Sequence, residues 1–228
     1  HHEQDDGFTA LHDDRHTDVL SLRGDLRLDE RNLVGLIAGF SESTHELGYA
    51  GSMFDNAGQR EGRDTNHSLH LRWRNGSDDD NAWLFSAYWS RQNRRDQWRF
   101  DSALNPPPLP APLPERFQGT VGNSVVFTQH SLEIERHQRL DDATRLMWGA
   151  EWQRAEHESP FWYHDSNAHA RNEHRLFTNL EWRATSTLLW NIGGMIEHVQ
   201  HDTARVAPRI FLNWHAQPPS AARERRTP

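Results

Sequence analysis

The feature that most constrains this chain is a period of two. In Leu20, Leu22, Gly24, Leu26 and Leu28 the intervening residues are Ser21, Arg23, Asp25 and Arg27, so an extended segment here has one apolar face and one charged face. The pattern recurs in Leu146, Trp148, Ala150 and Trp152, with Glu151 and Gln153 on the other parity. It returns in Leu176, Thr178, Leu180 and Trp182 against Arg175, Asn179 and Glu181, and in Val206, Pro208, Ile210, Leu212 and Trp214 against Arg209, Asn213 and His215. On a helix these apolar residues would be scattered around the axis. A strand that is apolar on one side and charged on the other belongs between a hydrocarbon phase and water.

About nine such segments are predicted, near 18–28, 32–41, 66–74, 82–92, 123–137, 144–156, 173–183, 187–199 and 206–215. Their connections alternate, tight at 29–31, 75–81, 138–143 and 184–186, long at 42–65, 93–122 and 157–172; only 200–205 is shorter than its place in the series suggests. Short turns on one side and long loops on the other are the habit of outer-membrane β-barrels. An apolar band about 25 Å tall, crossed at roughly 40°, needs about ten residues of strand at roughly 3.3 Å each. The proposed segments have that length, whereas soluble strands average about five to six residues. The expected fold is therefore all-β: an antiparallel meander of about nine long strands forming part of a transmembrane barrel, here an open, curved sheet with its wall in 1–215 and a disordered tail in 216–228.

With that pattern in view, a mean hydropathy of −0.93 and a net charge of −8 need not describe a soluble protein. A barrel strand needs only alternate residues to be apolar. No run reaches the roughly 18 apolar residues of a membrane helix. Trp73, Trp182 and Trp214 each close an apolar series near a turn, where an aromatic girdle meets lipid headgroups; Trp148, Trp152 and Trp190 lie farther along their strands.

The segments Arg23-Gly24-Asp25-Leu26-Arg27-Leu28 and Leu36-Ile37-Ala38-Gly39-Phe40 resemble an early hairpin of TonB-dependent outer-membrane receptors. Thr144 to Ala150, Leu176 to Trp182 and, above all, Ala207-Pro208-Arg209-Ile210-Phe211-Leu212-Asn213-Trp214 continue the resemblance, which spans roughly residues 15–215. It implies a receptor in the bacterial outer membrane that takes up a scarce nutrient, such as a ferric siderophore, haem or cobalamin, with energy from the TonB system. The implied partners are membrane lipid, a plug domain, TonB and a small iron chelate or haem, not nucleic acid. About nine strands are far fewer than the roughly 22 of plugged transporters, and a closed bacterial barrel has an even number, so a middle section of a barrel is expected. Passive porin, adhesin and soluble β-sandwich binding module are the alternatives.

No glycine-rich phosphate loop, G-x-S-x-G elbow or H-E-x-x-H pair occurs, and neither an enzyme nor a cofactor is expected. Sixteen histidines are the unusual stock of potential ligands; His157, His164, His169 and His174 gather near one outer loop with Glu156, Glu158 and Asp165. Their spacing fits no fixed metal pattern, and solvated loop residues are the plainer reading, as for His12, His16, His198 and His201. In the same loop Glu158-Ser159-Pro160-Phe161-Trp162-Tyr163 offers aromatic rings for a flat ligand. Trp162, Tyr163, His164 and His169 are thus the candidate ligand-binding residues. Asn105 to Pro114 reads as a stiff polyproline spacer and Asp78-Asp79-Asp80 as a polar turn. Arg23, Arg27, Arg72, Arg74, Arg175, Arg183 and Arg209, with Asp25, Glu133, Glu135, Glu151 and Glu181, are expected on the charged, inward face.

Overall fold

The computed structural model describes residues 2–5, 14–47, 60–76, 80–101 and 118–215. Twelve strands and one short helix follow in order: β1 (His2–Asp5), β2 (Arg15–Arg27), β3 (Asn32–Leu47), β4 (Arg60–Gly76), β5 (Ala82–Arg95), β6 (Gln97–Asp101), β7 (Gln118–Gly122), β8 (Val125–Arg139), β9 (Thr144–Glu158), α1 (Pro160–Tyr163), β10 (His169–Thr185), β11 (Leu188–Val199) and β12 (Arg205–Trp214). Ten of the strands form one open antiparallel sheet in the order β1-β2-β3-β4-β5-β8-β9-β10-β11-β12, and β6 and β7 make a separate hairpin. All nine expected strands are present.

Register turns the period of two into two continuous surfaces. One row of directly paired residues runs Leu26, Val34, Trp73, Phe85, Ile134, Ala150, Leu176, Ile196, Val206. One residue away on each strand, the row on the opposite face runs Asp25, Gly35, Arg72, Ser86, Glu133, Glu151, Arg175, Glu197, Arg205. The first contains no polar residue and the second no large apolar one. A one-residue slip of β2, β4 or β8 in either direction would place a charge among the apolar side chains. The rows also cross the strands obliquely: Leu26 lies beside the first tight turn, whereas Val206 lies at the end of β12 farthest from Trp214. That stagger is the shear of tilted strands.

Nothing among the described residues covers the apolar row. Leu26 is 61% exposed, Leu176 60% and Val206 69%, and among the described residues the buried apolar side chains are Ala82 and Val199. A soluble sandwich would bring a second sheet against this face; here there is none among the described residues. Trp73, Trp83, Trp148, Trp182 and Trp190 gather toward the turn end of the apolar face, whereas Trp89 and Trp152 lie farther along it. Trp83 and Trp148 meet edge to face at 5.6 Å, the Arg136 guanidinium lies 5.2 Å from the Trp83 ring, Trp182 pairs with Trp190, and Trp73 donates to Asn32 at 3.0 Å. Arg136 is thus set among the rings at this end, where a long side chain can carry its charged head beyond an apolar surface.

Two expectations are corrected. The sheet has ten strands, because β1 pairs with β2 in the register His2↔Asp18 to Asp5↔Arg15; the inference from an odd strand number therefore fails, although the sheet is open. The outer connections also carry strand where loop was expected: the β3–β4 ladder continues to Leu47↔Arg60, so 42–47 and 60–65 are paired. Within 93–122 lies the β6–β7 hairpin, anchored by Arg60, whose guanidinium donates to buried Asp96 at 2.7 and 3.2 Å. His12, residues 48–59, Asp78-Asp79, the proline segment Asn105 to Pro114 and the tail 216–228 lie outside the described residues.

Candidate functional site

On the charged face, Arg175 is a hub. Its Nη1 donates to Glu151 at 2.9 Å, its Nε to Glu197 at 3.1 Å, and its Nη2 contacts Glu173. These four residues come from three adjacent strands, and the planar guanidinium can serve several carboxylates at once because its donors point along fixed directions. Ser131 adds a hydrogen bond to Glu151 at 3.1 Å. Farther along, Arg23, Asp25, Arg72, Arg74, Glu133 and Glu135 line a cleft of about 410 Å³. No nucleophile with an adjacent base stands out in this network; it is a wet, mixed-charge wall. A larger depression of about 520 Å³, lined by Leu132, Ile134, Trp152, Leu176 and Ile196, lies on the apolar face and suits hydrocarbon.

At the loop end, the chain between β9 and β10 closes through α1. Pro160 occupies the first turn, where its missing N–H costs nothing, and the buried Ser159 hydroxyl accepts from the Trp162 amide at 3.4 Å. His164 ends the helix in a left-handed conformation, φ 57°. This local geometry places the four candidate residues differently. Tyr163 stacks on His169 with ring centroids 4.1 Å apart, whereas Trp162, 64% exposed, meets Phe161 edge to face at 5.4 Å. His164 joins neither pair among the described residues. Asp165 holds the loop: it accepts from the Asn167 amide at 3.0 Å and contacts His169 Nε2 at 3.2 Å, and the first of these, helped by His169, keeps its carboxyl below the ordinary value of 3.8.

The register shows a surface that the sequence alone did not. His169 pairs with His157, and His157 with Phe127, whose ring lies 4.7 Å away. Phe127, His157 and His169 share the parity of Glu151 and Arg175, so with Tyr163 they form a shelf of rings at the loop end of the charged face. The available signal was Phe127 itself, an aromatic residue on the polar parity of β8. His174 does not join this shelf; it pairs with Trp152 and His198 on the apolar face. Glu156 is engaged by Arg154 at 2.6 Å.

No family model matches the sequence, and no curated protein matches it. Among solved structures the chain is similar to the siderophore receptor PirA from Pseudomonas aeruginosa, with a TM-score of 0.66 and 12% identity over 90% of this chain and 31% of that one. The fold is that of an outer-membrane β-barrel wall. A variant of the ferric enterobactin receptor PfeA from Pseudomonas aeruginosa gives 0.63 at 12% identity, covering 88% of this chain and 31% of the receptor. The copper transporter OprC gives 0.55 at 16% identity, covering 88% and 33%. The chain thus spans about a third of the length of these proteins. Barrels of this fold are apolar on the outer face and polar on the lumenal face, the same division that the two rows show, and the Phe127–His157–His169–Tyr163 shelf stands at the loop end of the charged row.

Proposed function

We propose that this chain supplies wall and outer rim to a receptor barrel that captures a scarce nutrient, such as an iron chelate, haem or cobalamin, and imports it across the bacterial outer membrane with TonB-derived energy. The carrying observation is the pair of opposed rows, apolar and charged, running without a break across nine strands. Structural likeness to siderophore receptors supports the nutrient class. The role is transport rather than catalysis. The whole receptor's plug domain and the TonB system are the partners, with the lumenal charges available to pair with the plug.

Ligand recognition is assigned to the outer rim, where Trp162, Tyr163, His164 and His169 present rings and imidazoles on a rigid base. Replacing all four with alanine in the complete receptor is expected to weaken haem or ferric-chelate binding at least about tenfold, as the loss of stacking worth roughly 0.5–1.5 kcal/mol per ring pair would produce when several contacts go together. Heat-modifiable gel mobility should stay unchanged, since the ladders of β9 and β10 do not depend on these side chains. Unchanged affinity would remove this loop from the site, and ligand uptake that persists after dissipation of the inner-membrane proton gradient would contradict energised transport.

A further inference from the structure

The first two strands bring together a group that takes no part in the lumenal wall. His2 is paired with Asp18, and Gln4 with His16; opposite residues share a face, and so do residues two apart on one strand, so His2, His16 and Asp18 project from the same side. His2 Nδ1 lies 2.9 Å from Asp18 Oδ1, and His16 Nε2 lies 3.2 Å from Asp18 Oδ2. The two imidazole rings meet edge to face with centroids 4.2 Å apart. One ligand atom from each residue lies within 4.8 Å of the others.

We propose that His2, His16 and Asp18 bind a divalent transition-metal ion, Zn²⁺ in the first instance, and that the bound ion clamps β1 onto β2. Zinc bonds of about 2.0–2.1 Å in a tetrahedral arrangement space neighbouring ligand atoms by roughly 3.3 Å. Each imidazole nitrogen already stands near that distance from one Asp18 oxygen, His2 from Oδ1 and His16 from Oδ2, so ligation asks the carboxylate to turn one oxygen toward the ion and the two imidazoles to close on each other. Two imidazole nitrogens and a single carboxylate select zinc, copper or nickel; calcium and magnesium need more oxygen ligands. The fourth position stays open to water, because all three side chains are substantially exposed.

The clamp has a structural purpose. Strand β1 has only four residues, His2-Glu3-Gln4-Asp5, none of them apolar. Among the described residues it pairs with β2 alone, through four register pairs against thirteen between β2 and β3. A metal bond between His2 and residues on β2 would fix a short pairing that apolar packing does not hold. This inference stands on the β1–β2 pairing alone and is independent of what the barrel transports.

The test uses the 228-residue chain folded in detergent micelles, with Zn²⁺ as the probe. Sixteen histidines give background binding, so the readout is site-resolved: amide hydrogen exchange at residues 3–5. Zn²⁺ is expected to slow this exchange at least about tenfold in the original chain, and His16→Ala and Asp18→Ala should each lose the effect, since even residues that merely support a metal ligand change affinity about 10–100-fold. His174→Ala, on the other side of the sheet's span, should keep it. His2→Gln retains a hydrogen-bond donor for Asp18, so its metal-free exchange should match the original while its zinc response disappears; this separates metal ligation from strand pairing. Exchange at β1 that ignores Zn²⁺, or a zinc response that survives in His2→Gln and His16→Ala, would overturn the site. Equal slowing by Ca²⁺ would overturn its assignment to a transition metal.

Discussion

Leu132→Arg is expected to destabilise the folded wall by about 2–4 kcal/mol, the cost of an arginine facing lipid near the bilayer midplane. Leu132 lies midway along β8, is 44% exposed, and sits in the row Leu36, Leu71, Ala87, Leu132. The same residue type is tolerated one position away on the other face, where Arg72 and Arg175 already stand in the row of Glu133. Glu133→Arg should therefore cost much less, and it would exchange a repulsion with the paired Glu151 for an attraction. Urea titration of the barrel in phospholipid vesicles measures both. Equal losses at Leu132 and Glu133 would mean that the two faces meet the same solvent.

Gly149→Val should cost about 1–3 kcal/mol by overpacking. Even a methyl group at Gly149 would lie 2.5 Å from the Phe177 ring and 2.7 Å from the Ile134 carbonyl oxygen. The ring could turn aside, but the backbone oxygen belongs to the β8–β9 ladder and cannot move without breaking it. Gly24→Val is the control, since nothing lies within 4 Å of a methyl group there and valine favours a strand. The same vesicle titration should find Gly24→Val close to neutral, and a Gly149→Val variant as stable as the original would show that Phe177 does not fill that space.

The sheet was legible because lipid and water enforce a strict alternation, and alternation is a local property. Leu176 beside Arg175, and Ile134 beside Glu133, announce their faces without knowledge of any partner strand. Where the strands rise beyond the apolar band, that pressure ends. Arg63-Asp64-Thr65 and Glu42-Ser43-Thr44-His45 carry no apolar parity, yet they pair throughout β3 and β4, so the period of two gives no sign of these arms. Strand β1 is the extreme case: with no apolar residue, only its pairing with β2 reveals it. The outer shelf was half legible for a related reason. Tyr163 and His169 stood out by type and nearness in sequence, but their alignment with His157 and Phe127 depends on register across three strands, which no single segment encodes.

If the two registered rows face different phases, nitroxide accessibility must alternate along a single strand. Single cysteines carrying a spin label at 132, 133, 134 and 135 of β8, in a chain that has no native cysteine, would be exposed in vesicles to oxygen, which concentrates in hydrocarbon, and to a water-soluble nickel chelate. The expected result is a period of two, with 132 and 134 relaxed by oxygen and 133 and 135 by the chelate. Labels that respond alike at all four positions, or a period of two in the opposite phase, would contradict it.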